Sequence, residues 1–142
     1  MKEGKIMPNI AENINELQRR QGLTERARMM ICKYLGVLTQ DEDSVMTEYH
    51  DFFVQISFTS VHPLITIFLV RRIDKIHLGM LEIANKMNLS AVLGSHAVND
   101  TADCYTYRAT LWLDADLSEH RFQEILDRCI EEASRAFHAI NS

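Results

Sequence analysis

Residues 52–72 read FFVQISFTSVHPLITIFLVRR, and the division of that stretch decides the fold. Phe52, Val54, Ile56 and Phe58 alternate with Phe53, Gln55, Ser57 and Thr59, the period-two pattern of a strand with one buried face. Ser60-Val61-His62-Pro63 supplies a turn, with Pro63 restricting the residue before it. Leu64 to Arg71 is then apolar on both faces, so it belongs in the middle of a sheet. At an edge the same run would template aggregation.

Working outward, the β-branched and aromatic density begins at Val45, after the acidic turn Asp41-Glu42-Asp43. A strand over 45–49 joins the next through a tight turn at His50-Asp51. Further upstream, Ile10, Ile14 and Leu17 follow helical spacing, and Gly22 stands where a C-cap glycine would end the helix. Thr24 then caps a second helix through Met29, Met30, Ile31, Tyr34 and Leu35, closed by Gly36. Downstream, Asp74 caps a helix carrying Ile76, Met80, Leu81, Ala84 and Met87. Two more strands fit 90–98 and 104–113, joined by the turn formers Asn99 to Asp103. The second puts Cys104, Thr106, Arg108, Thr110 and Trp112 on one face and Tyr105, Tyr107, Ala109, Leu111 and Leu113 on the other. Asp116 and Glu119 form a capping box for a last helix, with Phe122, Leu126, Cys129, Ala133, Phe137 and Ile140 down one side.

The expected fold is therefore α+β: a mainly antiparallel five-stranded sheet packed against helices, in the order α-α-β-β-β-α-β-β-α. Residues 1–23 form an N-terminal helical arm and 24–142 a single domain. Helices cover one sheet face. Thr106, Arg108 and Thr110 suggest water over part of the other, while Trp112 and the strand at 64–71 suggest a second layer, for which a dimer contact is one solution.

Composition removes several functions. The chain has 142 residues, 46% hydrophobic and 25% charged, with a net charge of −5. No segment is a basic stripe, which argues against nucleic acid, and the acidity argues against anionic lipid. The acidic excess lies almost wholly in residues 75–142, much of it on the last helix and its cap, so a binding surface is to be sought on the less charged sheet. The longest apolar run, Leu64 to Val70, is too short to cross a bilayer, and the N-terminus lacks the apolar core of a signal peptide. Cys32, Cys104 and Cys129 show no paired spacing and fit a reducing compartment, so the expected location is cytoplasmic.

The order of elements resembles the YbjN family, whose fold is related to that of type III secretion chaperones. The stretch that carries the likeness is Ala84-Asn85-Lys86-Met87-Asn88 running into Ser90-Ala91-Val92, then Tyr105 to Leu113, and the acidic helix start at Asp116 to Glu119. The glycine often found before the last helix is replaced here by Asp114-Ala115-Asp116. The resemblance spans about residues 24–140. It implies a small, acidic, dimeric cytoplasmic protein that binds other proteins and carries no catalytic residues.

The residues themselves offer no specific catalytic motif. His50, His62, His77, His96, His120 and His138 include no i, i+4 helical pair and no HExxH, so they read as structural or surface histidines. Cys104, opening a strand, reads as the thiol most open to solvent, whereas Cys32 and Cys129 read as core. Glu131 and Glu132 read as the solvated face of the last helix. No metal or cofactor is expected. Two functions from different classes stand. One is a non-enzymatic protein-binding or regulatory module, chaperone-like, acting through a sheet face or helix groove, with a protein partner or a second copy of itself as a homodimer. The other is a small-ligand sensor or enzyme with a pocket near His96, Cys104, Arg108 and Trp112, where Arg108 would clamp an anion beside the Trp112 ring.

Overall fold

The structure, a computed structural model, describes residues 10–37, 39–59 and 62–142. The elements in chain order are α1 (Ile10–Leu35), β1 (Thr39–Gln40), β2 (Ser44–Tyr49), β3 (Phe52–Phe58), β4 (Leu64–Arg72), α2 (Leu78–Leu89), β5 (Ser95–Asn99), β6 (Cys104–Trp112) and α3 (Glu119–Ile140). The strands form one antiparallel sheet in the order β1-β2-β3-β4-β6-β5. This is the expected α+β fold, with six strands rather than five. The extra strand is the two-residue β1, too short to leave an alternation signal.

The apolar run at 64–72 is central, as its two-faced pattern requires: β4 pairs β3 on one side and β6 on the other. The turn between β2 and β3 is at His50-Asp51, both with positive φ (48° and 71°), the twist that a two-residue hairpin favours. Phe52, Val54, Ile56 and Phe58 face the core, and Phe53, Gln55 and Ser57 the other side.

Several boundaries differ from expectation, each for a local reason. Where two helices are expected, the described residues form one: α1 (Ile10–Leu35) runs through Gly22 without a break, and Gly36, at φ 61°, takes the left-handed C-terminal conformation. Thr24 is not a cap. Its hydroxyl donates back to the Arg20 carbonyl at 3.0 Å and lies 3.3 Å from the Thr59 carbonyl. Burial along α1 begins at Leu23 and continues at Thr24, Ala27 and Ile31, whereas Ile10, Ile14 and Leu17 are exposed. The expected arm over 1–23 thus falls partly on residues 1–9, outside the described residues. Helix α2 begins at Leu78 behind His77, four residues past Asp74. The strand expected from residue 90 starts at Ser95. Ser118, not Asp116, caps α3, accepting from the Arg121 N–H at 3.1 Å.

Helices α1 and α3 lie on the same face of the sheet, joined by Tyr34 edge-on to Phe122 at 5.9 Å, and α2 packs against β5 and α3. Between them sit the fully buried Ile31, Val54, Ile56, Ile65, Ile67, Leu69, Tyr105, Tyr107, Phe122, Leu126 and Ile140. Each such large side chain contributes about 1.5–3 kcal/mol relative to exposure.

Candidate protein-binding surface

Strand β6 divides the candidate residues between two faces of the sheet. Toward the helices go Tyr105, Tyr107 and Ala109, all buried. His96 of β5 opposes Tyr107 in register and joins them, 4% exposed, with its Nδ1 2.7 Å from the Tyr105 hydroxyl. Burial holds the His96 imidazole below its ordinary value, and the Glu132 charge only partly offsets that. The Asn88 carboxamide accepts from the His96 backbone N–H at 2.6 Å and donates to the His96 carbonyl at 2.8 Å. That pair of bonds ties the end of α2 to the outer edge of β5.

Beside this histidine, Glu132 gathers four donors. Its carboxylate accepts from the backbone N–H groups of Val92 (2.8 Å), Leu93 (3.1 Å) and Gly94 (3.0 Å), and from the Tyr107 hydroxyl (2.6 Å). Burial pushes the carboxyl upward, but these hydrogen bonds to its charged form outweigh it, and the group titrates below the ordinary carboxylate value. The reading of Glu132 as part of a solvated helix face is therefore corrected: Glu131 is exposed, and Glu132 is an anchor for the chain entering β5. Helical spacing shows which side of α3 Glu132 occupies but not that a distant loop will aim three N–H groups at it.

The opposite face carries Arg108, Thr110 and Trp112, together with Cys104. Register extends it across the sheet: Phe68 opposes Arg108, Thr66 opposes Thr110, Leu64 opposes Trp112, and Phe53 opposes Val70. The Arg108 guanidinium lies 5.8 Å from the Phe68 ring centre, in cation–π range. Trp112 is 62% exposed with His62 edge-on at 5.8 Å, and Phe53 is 41% exposed. No helix among the described residues covers this face.

The four residues singled out from sequence are therefore not brought together as one cluster. Arg108 and Trp112 share the open face, about 13 Å apart along the strand. Cys104 is on that face at the far end of β6, and His96 is beneath the sheet. The expectation that Cys104 is the most solvent-open thiol is corrected. It is 8% exposed and burial raises its pKa, whereas Cys32 is half-buried, its Sγ 3.2 Å from Gln40 Oε1. The sequence does not mark Phe53 and Phe68 as surface candidates and marks Glu132 only as solvated, because their place is set by cross-strand register and loop path. Among the described residues no three His, Cys, Asp or Glu side chains are grouped to hold a metal ion, and no helix is long and apolar enough to cross a membrane.

The described residues thus form an antiparallel sheet with helices packed on one face and none of them over the other. The sequence signature of YbjN, described as "Putative bacterial sensory transduction regulator", matches residues 33–142, and the chain belongs to the YbjN family. No curated protein matches it by sequence. Among solved structures it is similar to YbjN from E. coli, with a TM-score of 0.57 at 12% identity, covering 77% of this chain and 84% of that one. It is also similar to the Yersinia pestis type III secretion chaperone SycH, solved with a stable fragment of YscM2 (TM-score 0.55, 13% identity, 80% of this chain and 98% of that one). The ExsC–ExsE complex gives a TM-score of 0.58 at 14% identity, over 89% of this chain and 92% of that one. At such identities the likeness is one of fold.

Proposed function

We propose that this chain is a non-enzymatic, chaperone-like regulator of the cytoplasm, which binds a polypeptide through its open sheet face and pairs with a second copy as a homodimer. The observation that carries this reading is the uncovered face itself. Trp112 at 62% and Phe53 at 41% exposure share it with Phe68, Val70 and Leu64, while the outward side of α3 is charged. Phe53 and Trp112 stand at opposite ends of this face, with Phe68, Val70 and Leu64 on the strand between them and Arg108 and Thr110 beside Trp112, an apolar surface with a polar edge. Family membership and the chaperone-like fold support the same reading. In it, Arg108 and Trp112 touch the partner, and His96 and Cys104 support the strands that present them.

Trp112 is the single tryptophan, so its fluorescence reports directly on this face. The expected outcome is twofold. Light scattering gives the mass of two chains, and Phe53→Lys with Trp112→Lys returns it to one. In the unsubstituted protein, dilution below the dimer range shifts Trp112 emission to the red. A mass of one chain at every concentration removes the homodimer. Emission from Trp112 unchanged on mixing with a captured partner removes the open face as the binding surface.

A further inference from the structure

The register of β6 leaves one of its edges half filled. On one side β4 accompanies β6 from Cys104 to Trp112, but on the other β5 pairs only Cys104 to Arg108. Backbone groups of an antiparallel strand point alternately to its two neighbours. The Leu113 N–H donates to the Pro63 carbonyl on the β4 side, so odd-numbered residues here aim at β4 and even-numbered ones at β5. The Arg108 carbonyl obeys this rule, lying 2.5 Å from where a Cβ on Gly94 would stand. Past Ser95 the β5 line is empty. The N–H and C=O groups of Thr110 and Trp112 point into it, with no hydrogen-bond partner among the described residues.

Glu132 is the reason the line is empty. By holding the N–H groups of Val92, Leu93 and Gly94, it draws the chain toward α3 instead of letting it continue beside β6. What remains is an open depression of about 420 Å³ lined by Val92, Leu93, Ser95, Arg108, Ala109 and Thr110. The outer edge of β5 is treated in the opposite way, since Asn88 occupies the outward N–H and C=O of His96. One edge is stoppered by a side chain and the adjoining one is left unpaired.

We propose that this gap is a strand-addition slot for a short extended segment of a partner polypeptide, which completes the β5 line alongside Ala109 to Trp112. Thr110 and Trp112 supply main-chain donors and acceptors, the source of affinity in strand addition. Alternate side chains of the segment lie on the open face between Arg108 and Trp112. The Arg108 guanidinium, 5.8 Å from the Phe68 ring centre, has no carboxylate partner among the described residues, so an acidic residue fits beside it and an apolar one beside the Trp112 ring. This rests on the protein-binding reading above and adds where the bound chain runs and what it looks like.

The test uses the full chain, labelled with ¹⁵N, and octapeptides selected on it from a random phage-displayed library. In the free protein the amides of Ala109 and Leu111, bonded to β4, exchange slowly and those of Thr110 and Trp112 exchange fast. Selected peptides alternate apolar residues with a carboxylate and slow exchange at Thr110 and Trp112 by at least about tenfold. Methylating alternate peptide nitrogens abolishes binding in one parity and spares the other. Thr110→Pro removes an N–H that no other group uses, so the fold stands and affinity falls by about tenfold. Four results overturn the slot. They are loss of binding in both methylation parities, peptides that perturb Phe53 and Phe68 without protecting Thr110 and Trp112, a library that yields no binder, and concentration-dependent protection in the free chain. The second leaves the open face as the binding surface. The last assigns the line to a second copy.

Discussion

The Tyr107 hydroxyl donates to Glu132 Oε1 at 2.6 Å, linking the middle of β6 to the third turn from the end of α3. The same carboxylate also accepts three consecutive backbone N–H groups, so one side chain fixes sheet, helix and the loop that enters β5. Glu132→Ala leaves these donors in a half-buried site. Hydrogen bonds to a charged group contribute about 1.5–3 kcal/mol each but are not additive, so a net loss of about 2–3 kcal/mol is expected in urea unfolding. Hydrogen exchange at Val92, Leu93 and Gly94 should quicken in the same variant. Because the folded carboxyl titrates below its ordinary value of 4.5, this stabilisation is fully present above that pH and is lost as pH falls through the folded value. Glu132→Gln should flatten that acid limb.

Gly94 is required by close approach rather than by a turn. A Cβ there would meet the Arg108 carbonyl oxygen at 2.5 Å and the Tyr107 ring at 2.6 Å, backbone and a buried aromatic that cannot step aside. Gly94→Ala should cost about 1–3 kcal/mol, read from the shift in urea midpoint at constant slope. A neutral result would mean that β5 can slide outward from β6 at no cost.

His96 makes stability depend on pH in a second window. Its imidazole is buried between Tyr105 and Tyr107, and burial depresses its pKa below the ordinary 6.5. The unfolded chain therefore takes up a proton first as pH falls. Stability is full above about pH 7 and declines as pH drops from 6.5 toward the depressed folded value. His96→Gln should remove that slope below pH 6.5, measured by urea midpoints at each pH. An unchanged slope in the variant would assign the dependence to another group.

What the sequence discloses and what it withholds follow from the range of the interactions. The alternation of Phe52 to Phe58 and the two-faced run at Leu64 to Arg71 are local patterns, and they place β3 and β4 correctly, down to the turn at His50-Asp51. The division of β6 into a Tyr105, Tyr107, Ala109 face and an Arg108, Thr110, Trp112 face is equally local and equally visible. The start of β5 is not local. Residues 90–94 carry Val92 and Leu93, which look like strand, but Glu132, 38 positions beyond Gly94, pulls them off the sheet. The separation of His96 from Arg108 and Trp112 likewise depends on the registry of β5 against β6, which puts His96 opposite Tyr107. A one-residue shift would have put His96 on the open face.

The reading of Gly22 shows the same limit in a helix, and it can be tested directly. Spacing made Gly22 a C-cap between two helices, but α1 passes through it, and Gly22 is absent from the positive-φ residues, whereas Gly36 is among them. The helix continues through Gly22 into the turn where burial begins, at Leu23, Thr24, Ala27 and Ile31. A Cβ at position 22 would meet only the far end of the Arg26 side chain, at 2.8 Å, which can swing away. Glycine inside a helix costs about 1 kcal/mol relative to alanine. Gly22→Ala should therefore raise stability by about 0.5–1 kcal/mol and increase the helical circular dichroism signal. A true left-handed cap would respond with the opposite sign, as Gly36→Ala should, so the pair of variants separates a continuous helix from a broken one.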